Sequence, residues 1–128
     1  MDGLTPFIHA TEFKYDFSVH GGAIGAVTIQ DKTIPTNALI LGGLIFDPDT
    51  DITSGGAATV SLGIKSAGDL HAADAIADIN GGPLWADQFV IGETAPIETA
   101  SQEGLIVTIA TAALTAGVFR VKVFWVHG

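Results

Sequence analysis

Three carboxylates alternate along Asp47-Pro48-Asp49-Thr50-Asp51. Many calcium loops begin this way, because a hard cation takes about six to eight oxygen ligands at once. An EF-hand loop starting at Asp47 needs glycine at its sixth position and glutamate at its twelfth, where this chain has Ile52 and Ala58. The EF-hand reading therefore fails. Two readings stand. One is a looser Ca2+ site on Asp47, Asp49 and Asp51, completed by backbone carbonyls. The other is a solvated turn, in which Pro48 fixes φ and the Asp and Thr side chains hydrogen-bond nearby amides.

A second constellation is His71, Asp74 and Asp78, which a helix would place on one face. His-x-x-Asp can chelate. The plainer alternative is the wet face of an amphipathic helix with acids near its positive end. His9, His20 and His127 fall in unrelated segments. His20-Gly21-Gly22-Ala23 looks like an esterase oxyanion loop, but such a loop works only with a G-x-S-x-G nucleophile elbow, and this chain has none. It also has no Walker loop, G-x-G-x-x-G or H-E-x-x-H. No enzyme signature is left, and the chain is read as a non-enzyme.

The elements that would position these residues read mainly as strands. Phe13, Tyr15 and Phe17 alternate with Glu12, Lys14 and Asp16, the period of a half-buried strand. Ala23–Ile29 follows a Gly21-Gly22 turn. The apolar run 38–46 reads as a doubly buried strand, about half of what would cross a bilayer as a helix. Val60, Leu62 and Ile64 alternate with Thr59, Ser61 and Gly63. Near 70–79 the period changes: Ala72, Ala75, Ile76 and Ile79 make the stripe of one short helix, with Asp69 as its N-cap and Asn80-Gly81-Gly82-Pro83 as its stop. Residues 84–104 carry no clear pattern, although Trp85, Phe89 and Ile91 read as core. Leu105–Ala110 and Val118–Val126 read as a C-terminal hairpin. Turns every 8–12 residues predict an all-β fold, an antiparallel β-sandwich of jelly-roll type. Residues 1–11 read as an N-terminal arm and 12–128 as a single domain. The opening Met1-Asp2-Gly3-Leu4-Thr5-Pro6 has neither a basic nor a long apolar stretch, so no secretory leader is expected.

Composition narrows the partners. Hydrophobic residues make up 48% of the chain and charged residues only 15%, against ~25% charged in a typical domain. A surface short of charge is best covered by copies of the same chain or by another protein. The net charge is −9, which argues against nucleic acid and anionic membranes as partners. No cysteine is present. Arg120 and Lys122 share one face of the last strand, opposite Phe119, Val121, Val123 and Trp125. Phe124 and Val126 lie on the cationic side, so the strand is apolar on both faces near its end. Arg120, Lys122, Phe124 and Val126 therefore form a candidate subunit interface, with a plain solvated face as the alternative.

Three stretches carry a resemblance. They are Thr53-Ser54-Gly55-Gly56-Ala57-Ala58-Thr59-Val60-Ser61-Leu62-Gly63, Ala110-Thr111-Ala112-Ala113-Leu114-Thr115-Ala116-Gly117 before a terminal strand, and Ile34-Pro35-Thr36-Asn37-Ala38 before an apolar strand. Over residues 25–126 the chain resembles small structural proteins of tailed bacteriophages, those that decorate the head or belong to fibres. The resemblance implies a capsid decoration or cement protein. It would form a homo-oligomer, a trimer packed through sandwich edges and the C-terminal strand, and bind the major capsid protein on the outer surface of the virion. It implies no cofactor and no metal at the acidic stretch. A tail, collar or fibre component fits the same architecture. A carbohydrate- or calcium-binding module is the other alternative, with Trp85 as the sugar platform.

Overall fold

Alternating side chains build the two inner faces of a sandwich. The computed structural model describes residues 8–87 and 97–128, of which 47–49 are described by backbone alone. The described elements are β1 (His9–Asp16), α1 (Phe17–His20), β2 (Gly25–Ile34), β3 (Ala38–Ser54), β4 (Thr59–Gly63), β5 (His71–Ala75), α2 (Ile76–Asn80), β6 (Leu84–Trp85), β7 (Ile97–Glu98), β8 (Glu103–Ala110) and β9 (Leu114–His127). One sheet runs β1-β9-β3-β6, with β7 also on β3; the other runs β2-β8-β4-β5. The antiparallel pairs nest: β4 with β5, β3 with β6, β2 with β8, β1 with β9. A long two-stranded ribbon rolled on itself gives this order, which is that of a jelly roll.

The core sits between the sheets. Phe13, Tyr15, Ile40, Ile45, Phe119, Val121 and Val123 enter it from one side, and Ile29, Val60, Leu62, Leu105, Val107 and Ile109 from the other. Within each strand the set is spaced by two, as one buried sheet face requires, except from Ile40 to Ile45, where a register shift after Ile40 breaks the period. Tyr15 stacks on Phe119 at 5.2 Å between ring centroids, and its hydroxyl donates to the Gly21 carbonyl. Burial, reinforced by the nearby Asp16 carboxylate, pushes this phenol up to about 12.

Several segments differ from the sequence reading. The run 38–46 is buried on one face only: Ile40 and Ile45 point inward, while Leu41 is 46% exposed. Its other face is the outside of the sheet. The strand then continues to Ser54, so the backbone of Asp47–Asp51 is extended strand and not a loop. Between Phe46 and Thr50, β3 spends four residues where β9 spends two, a bulged region. The C-terminal strands are not a hairpin. Both edges of β8 are taken by β2 and β4, and both edges of β9 by β1 and β3, so the chain changes sheets between them. Thr111, at φ 75°, makes that corner.

The helix near 70–79 is only Ile76–Asn80, and His71–Ala75 is strand. Asp69 does not cap it. Its carboxylate accepts from the amides of Ile64, Lys65 and Ser66, at 2.6–3.1 Å, and closes a loop after β4. β4 then offers an edge, and His71–Ala75 pairs with it although three of its five residues are alanine, a strong helix former, so tertiary pairing overrides local preference. Asn80 ends the helix and bonds both the N–H and the carbonyl of Ile52 on β3, at 2.9 Å each. At the other end, β1 stops at Asp16 because that carboxylate caps α1. It accepts from the Ser18 amide and hydroxyl, and these bonds hold it below the usual carboxylate range. Phe17 therefore opens a helix instead of extending β1. β1 itself begins at His9, so residues 9–11 of the expected arm lie in the sheet.

Candidate functional site

The outer face of the β1-β9-β3-β6 sheet is built in rungs set by strand register. One rung is Ala10–Phe124–Gly42. The next is Glu12–Lys122–Leu44–Trp85, and the third is Lys14–Arg120–Phe46. These residues alternate with the buried Phe13, Val121, Val123 and Ile45, which anchor the face from behind.

Phe124 of the first rung and Trp85 of the second border an open groove. Leu41 is an extra residue in β3, because the register steps from Ile40–Trp125 to Gly42–Phe124. The bulge pushes Leu41 outward and places Gly42 at φ 154°. A side chain at Gly42 would meet open space, so its absence leaves the groove floor low. Across that gap Trp85 and Phe124 approach to 6.4 Å between centroids. Ile8, Leu41, Trp85 and Phe124 wall an open cavity of about 560 Å³ over Gly42 and Gly43. Ile8 is 67% and Trp85 62% exposed. Trp85, read as core, is therefore a surface residue: it pairs with Leu44 on the outward rung while its neighbour Leu84 faces inward. Phe89 and Ile91 lie outside the described residues.

Charge runs along the second and third rungs, as Glu12 with Lys122 and Lys14 with Arg120. Arg120 Nη1 lies 3.2 Å from Glu12 Oε2 with both side chains about one-third exposed, and Lys122 Nζ sits 5.6 Å from the Phe46 ring centroid. The expected cationic side of β9 is thus real, and it is partly engaged within the chain. Exposed pairs of this kind contribute at most ~1 kcal/mol. Val126, opposite Leu39, extends the apolar part of the same face.

The other sequence candidates separate. Asp47 and Asp49 side chains lie outside the described residues, and Asp51 is exposed. His71, Asp74 and Asp78 do come together, but by a strand and a helix and not on one helix. His71 is buried; its Nε2 lies 3.2 Å from Asp74 Oδ2, and its Nδ1 accepts the Asp87 amide at 3.2 Å. That bond sets Nε2 as the protonated nitrogen, donating to Asp74. Asp87 also accepts from the Ala72 amide at 2.7 Å. The cluster thus ties β5, the edge of one sheet, to the segment after β6, the edge of the other. Burial raises Asp74, but hydrogen bonds from Asp78, His71 and the Ala75 amide outweigh it and leave Asp74 lowered. Asp78 is raised, first by its bond to Asp74 and then by the Asp74 charge. Among the described residues no group of three or more His, Asp or Glu is arranged to hold a metal ion.

Asp16, Ser18 and His20 also meet, as a helix cap. Ser18 Oγ donates to Asp16, while His20 Nδ1 meets the Asp16 backbone and its ring stacks on Tyr15. Gly21 N–H is bonded to Phe17 and the Gly22 carbonyl accepts from Leu114, which is turn geometry and not an oxyanion hole. The groove is the feature that sequence reading missed. Its one signal was the Gly42-Gly43 break inside an apolar strand.

No protein-family model matches the chain, and no curated protein matches it. Solved structures do. A chain in the capsid asymmetric unit of cyanophage Pam1 is 18% identical, with a TM-score of 0.65 over 100% of this chain and 90% of that one. A chain in the acidic stable capsid structure of Helicobacter pylori bacteriophage KHP30 is 9% identical, with a TM-score of 0.60 over 93% and 86%. One in the capsid of Ralstonia phage GP4 is 20% identical, with a TM-score of 0.54 over 94% and 85%. At these identities the likeness is one of fold.

Proposed function

We propose that this chain is a non-enzymatic structural protein of a phage virion, a decoration or cement protein on the outer surface of the head. The observation that carries this reading is the near end-to-end fold match to chains from three phage capsids. The outer sheet face adds a physical reason. Walls of Ile8, Leu41, Trp85 and Phe124 around a low floor are an anchor site for apolar side chains of a partner, and the adjacent charges set register. The partners in this reading are the major capsid protein and further copies of the chain, as a trimer.

Quantitative mass spectrometry of purified particles tests it. A ratio near one copy per major capsid subunit is expected. A handful of copies per particle moves the chain to the tail, collar or fibre, and complete absence overturns the virion role. The exposed Trp85 also suits a sugar platform. Retardation on an immobilised-sugar column that Trp85→Ala abolishes would select that second reading.

A further inference from the structure

His71 is 5% exposed, and both of its ring nitrogens are bonded. Nε2–H donates to Asp74 Oδ2 and the Nδ1 lone pair accepts the Asp87 amide, each at 3.2 Å. The Asp87 carboxylate stands beside the same nitrogen: its Oδ1 is 3.3 Å from Nδ1, while its Oδ2 accepts the Ala72 amide at 2.7 Å. Ala86 and Asp87 line the groove next to Trp85, and the Ala86 amide is held by the Gly43 carbonyl at 2.9 Å. The charged groups that face His71 are Asp74 on its own strand and Asp87 after β6. Asp78, on α2, joins them through its hydrogen bond to Asp74. Across the ladder β4 places the apolar Leu62 opposite His71.

We propose that His71 is a proton switch for the β6 wall of the groove. Histidine is the side chain whose charge changes between about pH 8 and pH 5. A proton from water has one place to bind on this ring, the Nδ1 lone pair, because Nε2 already carries one. Once Nδ1 bears hydrogen it no longer accepts, and the Asp87 amide is left facing a donor. The Asp87 carboxylate is the acceptor within reach, and its bond to a charged imidazolium is stronger than the neutral bond that is lost. Gly43 keeps hold of the Ala86 amide, so the rotation falls on the Ala86–Asp87 peptide. The amide leaves the ring as the carboxylate closes on it, and the groove lining trades a carboxylate for an N–H donor two residues from Trp85. This switch deepens the proposed function, on whose partner groove it rests, by naming what regulates that groove.

Residue-resolved nitrogen NMR of the whole chain, titrated between about pH 8 and pH 5, tests it. The signals read are the His71 ring nitrogens, the Asp87 and Ala72 amides and the Trp85 indole. At the alkaline end His71 is expected as the Nε2–H tautomer. On acidification all of these signals are expected to shift together, with one midpoint. Carboxylates ordinarily titrate below this range, so Glu12 on the Trp85 rung is not expected to contribute. Trp125 is expected to follow His9 and His127, whose rings it touches, instead. His71→Gln is expected to abolish the Asp87, Ala72 and Trp85 shifts. Asp87→Ala is expected to abolish the Ala72 shift and spare that of Trp85, because the carboxylate alone joins Ala72 to His71. A His71 that stays neutral across the range overturns the inference. So does a Trp85 shift with a different midpoint, and so do Asp87 or Trp85 shifts that survive in His71→Gln. Near-UV circular dichroism reports whether each variant folds, and the wild-type titration decides the matter if His71→Gln does not. The particle copy number is read independently. A chain found on particles whose Trp85 ignores His71 sinks this inference alone, and a titrating groove on a chain absent from particles sinks the virion reading alone.

Discussion

The two sheets present opposite kinds of outer surface. On the β1-β9-β3-β6 sheet the outward residues are large: Leu39, Leu41, Leu44, Phe46, Trp85, Phe124 and Val126, with a strip of charge. On the β2-β8-β4-β5 sheet the rungs are Ala26–Thr108–Ser61, Thr28–Ile106–Gly63 and Ala110–Thr59. Apart from Ile106 those residues are small or hydroxylic, and the loop closed by Asp69 folds over part of them, leaving Ser61 and Gly63 buried. Apolar surface kept from water is worth ~25 cal/mol per Å², and on the first sheet Leu41 and Trp85 leave theirs most open to it, at 46% and 62% exposed. The comparison teaches that equivalent positions in one fold serve different ends, and that side-chain size at the outward positions decides which.

The largest effect comes from destroying the frame both faces share. Phe119 is fully buried against Tyr15, and Phe119→Ala is expected to cost about 3–5 kcal/mol in chemical denaturation. A cost under ~1 kcal/mol would mean the sheets do not pack as described.

Next comes the self-covered face. A methyl at Gly63 would collide with the Ser66 carbonyl. Gly63→Ala is expected to lose about 1–3 kcal/mol and to raise amide exchange across 64–70. Unchanged exchange there would remove the loop from its place over β4.

The hydroxyl of Tyr15 is worth less. Tyr15→Phe is expected to lose about 1 kcal/mol near neutral pH. The folded phenol titrates near 12 and the unfolded one near 10, so the folded state holds its proton more tightly. That stability is fully present below pH ~10 and is lost as pH rises through ~12. An alkaline denaturation profile should fall over this window in the wild type and not in the variant. Identical profiles would contradict the burial of this phenol beside Asp16.

The smallest effects on stability separate the two outer faces. Trp85→Ser with Phe124→Ser, and Thr28→Ser on the other sheet, are each expected to stay within ~1 kcal/mol. Only the first is expected to abolish attachment to particles in a sedimentation assay. Equal binding by both would erase the distinction between the faces.

Much of this was legible in the chain. The alternations through Phe13 and Tyr15, through Val60, Leu62 and Ile64, and through Phe119 to Trp125 name the core directly, because a strand turns every second side chain to the same side. The Arg120/Lys122/Phe124/Val126 face followed from the same rule. The stripe near 70–79 misled because β4 offered an edge, and pairing with it overrode the helical preference of the alanines in 71–75. Trp85 misled because a two-residue strand carries no period to read.

What the sequence determined by itself, then, was local: which residues point inward along each strand, where turns fall, and that no catalytic motif is present. Only the tertiary structure decided what stands beside what. Strand partners such as β1 and β9 are joined by the whole length of the chain between them, and pairing at that range is fixed by burial of all the inner faces together and not by any local preference. The groove belongs to this second class. Trp85 and Phe124 meet across Gly42 because β3 lies between their strands, and no spacing in the chain encodes that neighbour.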